Sequence, residues 1–269
     1  MEDRSYNCLG EHRHGESYAS ARSTVLRVRG TGAADPEVLR VAREATLYSL
    51  TSMARIGAIL MSPPKIYFAA AKTDCIDIHL EMGSSRPEGE RRCDLFTDST
   101  FGVYVVHMER IRALHRDPGA SMWWQAPHTL WHLYQWQAGP ECWRNTPAAF
   151  QESTPEMHKF KVLDERRIIA MDAYVRRTLV PRAKAARARW NFSILDRPRL
   201  DQSNIDPFYA LAGVLGYYQF LNGGWPKIVA RDGDVRPFSQ RLESVYGIKS
   251  EIYERQFLRV ARRSVGVRG

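Results

Sequence analysis

The stretch from Ser121 to Phe150, SMWWQAPHTLWHLYQWQAGPECWRNTPAAF, restricts the fold more than any other part of the chain. It places Trp123, Trp124, Trp131, Trp136 and Trp143 close together and threads two histidines among them. So much indole surface has to be packed, which calls for a large core around this segment. His128 and His132 stand four positions apart. On an α-helix that spacing puts both imidazoles on one face, where two ring nitrogens can converge on a single cation. Pro127, directly ahead of the first histidine, either starts such a helix or kinks one that begins near Ser121.

With 269 residues, 44% of them apolar, the chain is long enough for one large domain or two small ones and is not of a disordered class. We expect a polar N-terminal arm over 1–34 and a single domain over 35–269, with a helix-plus-sheet part (35–120) and a helical part (121–269). The 39 basic against 30 acidic residues give a formal charge of +9, which leaves a polyanion partner open. No apolar run approaches the roughly 20 residues that span a bilayer. The first residues, MEDRSYNCLGEHRHGES, lack the apolar core of a signal peptide, so the expected setting is cytoplasmic with no membrane partner. Cys8, Cys75, Cys93 and Cys142 are too scattered for a zinc ribbon or a redox motif. Reduced, mostly buried thiols are the expectation, with a Cys75–Cys93 bridge as the alternative outside the cytosol.

Asp35-Pro36-Glu37 supplies a helix cap, a proline preset for the first turn and an acidic start, so a helix is predicted from there toward Met61. Strands are predicted at Ile66–Phe68, Cys75–Leu80 and Phe101–His107, with a charged loop over Gly83–Arg92. Val106–Leu114 also suits a helix. Beyond Ala120 the rhythm is helical. Helices are expected over about Pro147–His158, Val162–Ala188, Tyr209–Leu221 (stopped by Gly223-Gly224), Phe238–Tyr246 and Lys249–Arg263. The order, helix then strands then helices, defines an α+β class with a small mixed sheet at about residues 65–107.

His128-Thr-Leu-Trp-His132-Leu-Tyr-Gln135 resembles the H-E-x-x-H-x-x-Q helix of gluzincin metallopeptidases, the thermolysin- and aminopeptidase-type branch of the zincin-like superfamily. Trp143-Arg-Asn-Thr-Pro-Ala-Ala-Phe150 is similar to their W-x-x-E-G-x-A-x-aromatic helix. Tyr209–Leu221 with Gly224–Val229 resembles their tail helix, and Phe238–Leu258 their closing helix pair. The resemblance implies a zincin-like fold and zinc, or another divalent metal, on His128 and His132. It also exposes two departures: Thr129 and Thr146 stand where the family carries the general-base glutamate and the third, glutamate ligand. A hydroxyl cannot take up a proton as a carboxylate does, and losing a general base costs about 10²–10⁴ in rate. Glu152, 20 positions after His132, is the replacement ligand by spacing, with His107 and Glu109 as further candidates. The implied catalytic positions are Thr129, Thr146 and Tyr209, and the implied substrate pocket is Trp123, Trp124, Trp131, His107 and Glu109.

The expected function is therefore a repurposed metal-dependent hydrolase, lyase or cyclase acting on a small-molecule or acyl substrate without the peptidase base. Two alternatives stand beside it. One is a catalytically inert descendant serving as a binding or scaffold protein. The other is a basic RNA-binding nucleoprotein or coat-like subunit using the Arg176–Arg189 stripe. Plainer readings compete at every position: His128 and His132 as packed histidines, Trp131 and Trp136 as core, the arginine stripe as a solvated helix face. Of the adjacent Trp123 and Trp124, one must turn away from the core. Nothing in the sequence speaks to oligomeric state.

Overall fold

The computed structural model describes residues 25–29, 36–60, 65–94, 97–98, 103–114, 117–138, 146–184, 194–195, 205–223 and 236–263. Most of them are helical. The chain forms two compact units, His14–Ala138 and a second made of Met1–Arg13 with Gly139–Gly269. The division falls after Ala138, so the histidine-bearing helix belongs with the sheet rather than opening the helical half.

The first unit runs β1 (Val25–Arg29), α1 (Pro36–Arg55), β2 (Lys65–Ala69), α2 (Lys72–Glu81), α3 (Arg86–Arg92), β3 (Thr97–Asp98), β4 (Val103–His107), α4 (Met108–Leu114) and α5 (Pro118–Ala138). Its sheet has the order β1-β2-β4-β3. β1, β2 and β4 are parallel, and β3 returns antiparallel beside β4. Parallel neighbours need long crossovers, and α1 and the α2–α3 pair provide them. On the central strand β2, Ile66, Phe68 and Ala69 are buried. α5 packs along α1, where Ala42, Ala45 and Ser49 are buried small residues that leave room for the bulk of α5. Trp123 meets Tyr48 of α1 edge-on, with ring centroids 5.9 Å apart.

Three expectations are corrected here. The arm expected over 1–34 contains a strand, β1, whose parallel partner β2 lies far along the chain. Cys75–Leu80, read as a strand from its alternating apolar residues, is helix: Cys75, Ile76, Ile78 and His79 are buried at helical spacing. The Asp74 carboxylate accepts the Ala71 backbone N–H at 3.0 Å, which fastens the first turn. Gly83–Arg92, read as a loop, contains α3, which has a proline in its first turn and a Glu88–Arg92 pair at 2.6 Å across one turn. The strand at Val103–His107 and the helix following it agree with the sequence reading.

The second unit contains α6 (Ala148–Glu165), a short α7 (Met171–Tyr174) that widens into a π-helical stretch (Val175–Leu179), α8 (Ile205–Leu221), α9 (Phe238–Tyr246) and α10 (Ser250–Arg263). α6 and α8 lie in close contact because α8 offers glycines at the crossing. A Cβ on Gly216 would sit 2.2 Å from the Ser153 carbonyl oxygen, and one on Gly213 would sit 3.0 Å from the Phe160 ring. Beside that crossing the Ser153 hydroxyl donates to the Gln219 side-chain oxygen at 3.1 Å. Phe150, Tyr253 and Phe257 fill the core further on. The helix expected over Val162–Ala188 is interrupted, because α6 runs on to Glu165 and then turns at Arg167. That residue adopts φ 57, which lets the Ile168 N–H reach back to the Leu163 carbonyl at 2.8 Å. A glycine would have marked the stop in the sequence, and none is there. Gly247, at φ 70, ends α9 as expected.

No helix among the described residues is long and apolar enough to cross a membrane. Cys8, Cys142, Trp143, Gly224–Val229, Arg187 and Arg189 lie outside the described residues.

Candidate metal centre

α5 continues through Pro127 without breaking. Proline has no N–H, so one bond is missing from the helix ladder one residue ahead of His128, yet the packing on α1 keeps the segment helical. His128 and His132 consequently sit one turn apart on the same face, with ring centroids 4.7 Å apart and planes at 76°. Their Nε2 atoms approach to 3.0 Å. The Nδ1 of His132 lies 2.8 Å from Oε1 of Gln135, a buried side chain one turn further on. An amide oxygen only accepts, so Nδ1 carries the proton and Nε2 of His132 presents its lone pair toward His128. This arrangement, an imidazole whose remote nitrogen is tied down by a side chain, orients histidines in metal sites. Both rings are half-buried.

The neighbours of the pair fall into two groups. Thr129 is buried, as are Trp123 and Trp131, with Trp131 fully enclosed and edge-on to Tyr134 at 5.7 Å. These side chains are core. Trp124 is half-exposed and is the one of the adjacent tryptophans that turns outward. It is the tryptophan of the expected pocket best placed to meet a ligand.

His107 and Glu109 form a different constellation. His107 closes β4, buried, with Nδ1 2.7 Å from the Cys93 carbonyl oxygen. Burial lowers its pKa, against the opposing pull of the Cys93 carbonyl and Glu109. Glu109 is exposed, 3.8 Å from Nε2 of His107, and its carboxylate accepts the backbone N–H of Lys72, the first residue of α2, at 3.0 Å. Both residues thus stand beside α2 and Cys93.

Cys93 itself overturns the expectation of reduced thiols, because it is joined to Cys75 in a disulfide. The α2–α3 hairpin brings the two Cα atoms to 5.9 Å, a distance the sequence interval of 18 could not reveal. Cys75, His79 and Cys93 are all buried, with their ligand atoms within 4.8 Å of one another. Sequence reading missed this group because it assigned Cys75–Leu80 to a strand, where positions four apart do not share a site as they do on a helix. Cys75 and His79 at i and i+4 were the available signal.

The remaining expected site residues belong to the second unit. Glu152, on α6, acts on Tyr209 of α8, whose hydroxyl pKa is raised well above its ordinary value. The Glu152 charge is the largest cause, then burial, then Glu156. Glu156 is buried and pairs with Lys159. Thr146 accepts a hydrogen bond from the Arg241 guanidinium at 2.8 Å, and that guanidinium also lies over the Phe238 ring, 5.4 Å from its centroid. Of the basic stripe, Arg176, Arg177 and Arg182 are exposed and Lys184 is half-buried.

Comparison with protein-family models, curated proteins and solved structures returned no match. Residue groups that could bind a metal ion are present among the described residues.

Proposed function

We propose that the chain is a metalloprotein in which His128 and His132 hold a divalent ion, zinc by donor type, and that the ion serves a hydrolase- or lyase-type reaction on a small or acyl substrate in the cytoplasm. The observation that carries this is the 3.0 Å approach of the two Nε2 atoms, with the tautomer of His132 set by Gln135. One neutral imidazole can face another this way only with a proton between them, and a cation takes the place of that proton. Zinc bonds of about 2.0–2.1 Å at a tetrahedral angle put two nitrogens ~3.3 Å apart, so small side-chain rotations suffice. When bound, the ion supplies Lewis acidity and a coordinated water of lowered pKa.

The resemblance to gluzincins supports the same assignment, and Thr129 sets its limit. A buried hydroxyl at the general-base position does not support peptide hydrolysis, and favours substrates whose own groups shuttle the proton. Trp124, half-exposed on the same helix, is the proposed contact for such a substrate. Glu152 is proposed as third ligand on its sequence interval from His132, and Glu152→Gln tests that part alone.

The test is cobalt or zinc binding by the disulfide-intact protein after removal of adventitious metal. One ion per chain is expected, lost in His128→Ala and in His132→Ala, with a cobalt spectrum free of thiolate charge transfer. Less than about 0.2 ion per chain, or binding that survives both substitutions, overturns the proposal.

A further inference from the structure

We propose a second, redox-gated metal site in the first unit, in which Cys75, His79 and Cys93 bind zinc when their disulfide is reduced. It is independent of the His128/His132 pair. Cys75 and His79 stand at i and i+4 on α2, and Cys93 follows the last turn of α3. All three are essentially inaccessible, with relative exposures of 2%, 0% and 0%. Their donor atoms lie within 4.8 Å of one another. Zinc bonds of about 2.3 Å to sulfur and 2.0–2.1 Å to nitrogen give tetrahedral edges of roughly 3.4–3.8 Å, so the present cluster needs only small adjustments to close on an ion.

The cluster around the cysteines is apolar, built from Ala69, Ile76, Ile78 and Val105 with Tyr67, Leu80 and Met82 packed against it. His79 brings a fully buried imidazole into these apolar surroundings, beside both sulfurs. Gly89 of α3 is buried, and a Cβ there would meet the His79 Cβ at 3.4 Å, so α3 packs against the stem of that histidine. Two cysteines and one histidine also form a recognised zinc donor set, with a water in the fourth position.

The chemistry balances without further partners. Two equivalents of a thiol reductant, RSH, convert the Cys75–Cys93 bond into two thiols and release RSSR by exchange through a mixed disulfide. Zinc then displaces one proton from each thiol, and His79 binds through a neutral nitrogen. A disulfide-class oxidant reverses the sequence, reforming the bridge and releasing the ion. A reducing cytoplasm, the setting expected from the sequence, selects the metal-bound form, and oxidation selects the crosslinked one.

The experiment uses the full chain carrying Cys8→Ser, Cys142→Ser, His128→Ala and His132→Ala, so that Cys75 and Cys93 are the only thiols and the other proposed site is silent. After anaerobic reduction, cobalt is expected to bind at one ion per chain with an intense thiolate-to-cobalt charge-transfer band. The oxidised chain should show no such band. His79→Ala should weaken binding on the order of a hundredfold, and zinc should protect both thiols from alkylation in the chain that retains His79. A reduced, folded chain that gives no thiolate–cobalt band overturns the proposal, as does a band unaffected by His79→Ala. Should His79→Ala fail to fold, alkylation decides: thiols modified at the same rate with and without zinc overturn it.

Discussion

The two units put different chemistry into their interiors. The first buries soft and nitrogenous donors: a disulfide, His79 and His107 near the sheet, and the half-buried His128/His132 pair on α5. The second buries His158 too, but chiefly phenols and carboxylates, with Tyr209 beside Glu152, Glu156 paired to Lys159, and Tyr246 against Tyr253 at a centroid distance of 4.4 Å. Their means of cohesion differ as well. One is crosslinked and organised on a parallel sheet, while the other depends on glycines that let α6 and α8 touch. The proposed thiol and disulfide chemistry therefore lies in the first unit, and sensitivity to alkali and to helix packing is expected of the second.

The sharpest way to break that contrast is Gly216→Ala. The added Cβ meets a backbone carbonyl at 2.2 Å, which no rotamer relieves, so a loss of about 3 kcal/mol in chemical denaturation is expected. Hydrogen exchange should rise in α6 and α8 while α1 and α5 keep their protection. Reducing Cys75–Cys93 in chelator is the counterpart for the first unit. With a sequence separation of 18, the expected loss is also about 3 kcal/mol, localised to α2 and α3. Equal deprotection of α8 would erase the distinction between the units.

Alkali should act on the second unit. Burial first, then the Asp172 carboxylate, pushes Tyr217 up to about 12, and burial raises Tyr246 and Tyr253 as well. The unfolded phenols ionise near pH ~10, so the fold binds protons that the unfolded chain releases, and stability falls as pH rises from there toward 12. Stability measured between those pH values should decline, and a flat profile would contradict the burial of these hydroxyls. The smallest effect expected is that of Thr146→Val. It removes the acceptor from the Arg241 guanidinium and should cost about 1.5 kcal/mol, without altering metal binding by His128 and His132.

Much of this was legible beforehand. Pro36 with Glu37, Gly247, and the apolar spacing of α8 each marks a helix through its own backbone chemistry, and each was read correctly. The proximity of His128 and His132 followed from their spacing of four on the helix α5. Gln135 stood in the motif that prompted the resemblance, but its use as the partner of His132 Nδ1 appears only with side-chain positions. Misreadings cluster where local pattern and tertiary environment disagree. Cys75–Leu80 alternates like a strand yet folds as a helix, which buries Cys75, Ile76, Ile78 and His79 against α3 and the sheet. In β1, Val25, Leu26 and Val28 suit a strand, but the partner that makes them one, β2, lies far along the chain.

The amino-acid order alone determined that α1, α5, α8, α9 and α10 are helices, where the last three stop, and that two imidazoles share a face, because these properties depend on neighbours within a turn or two. Which nitrogen of His132 faces His128, that Cys75 meets Cys93 beside His79, and that Thr146 serves Arg241 were decided only by the folded chain. Each depends on groups brought together by packing, across sequence distances over which no local periodicity operates.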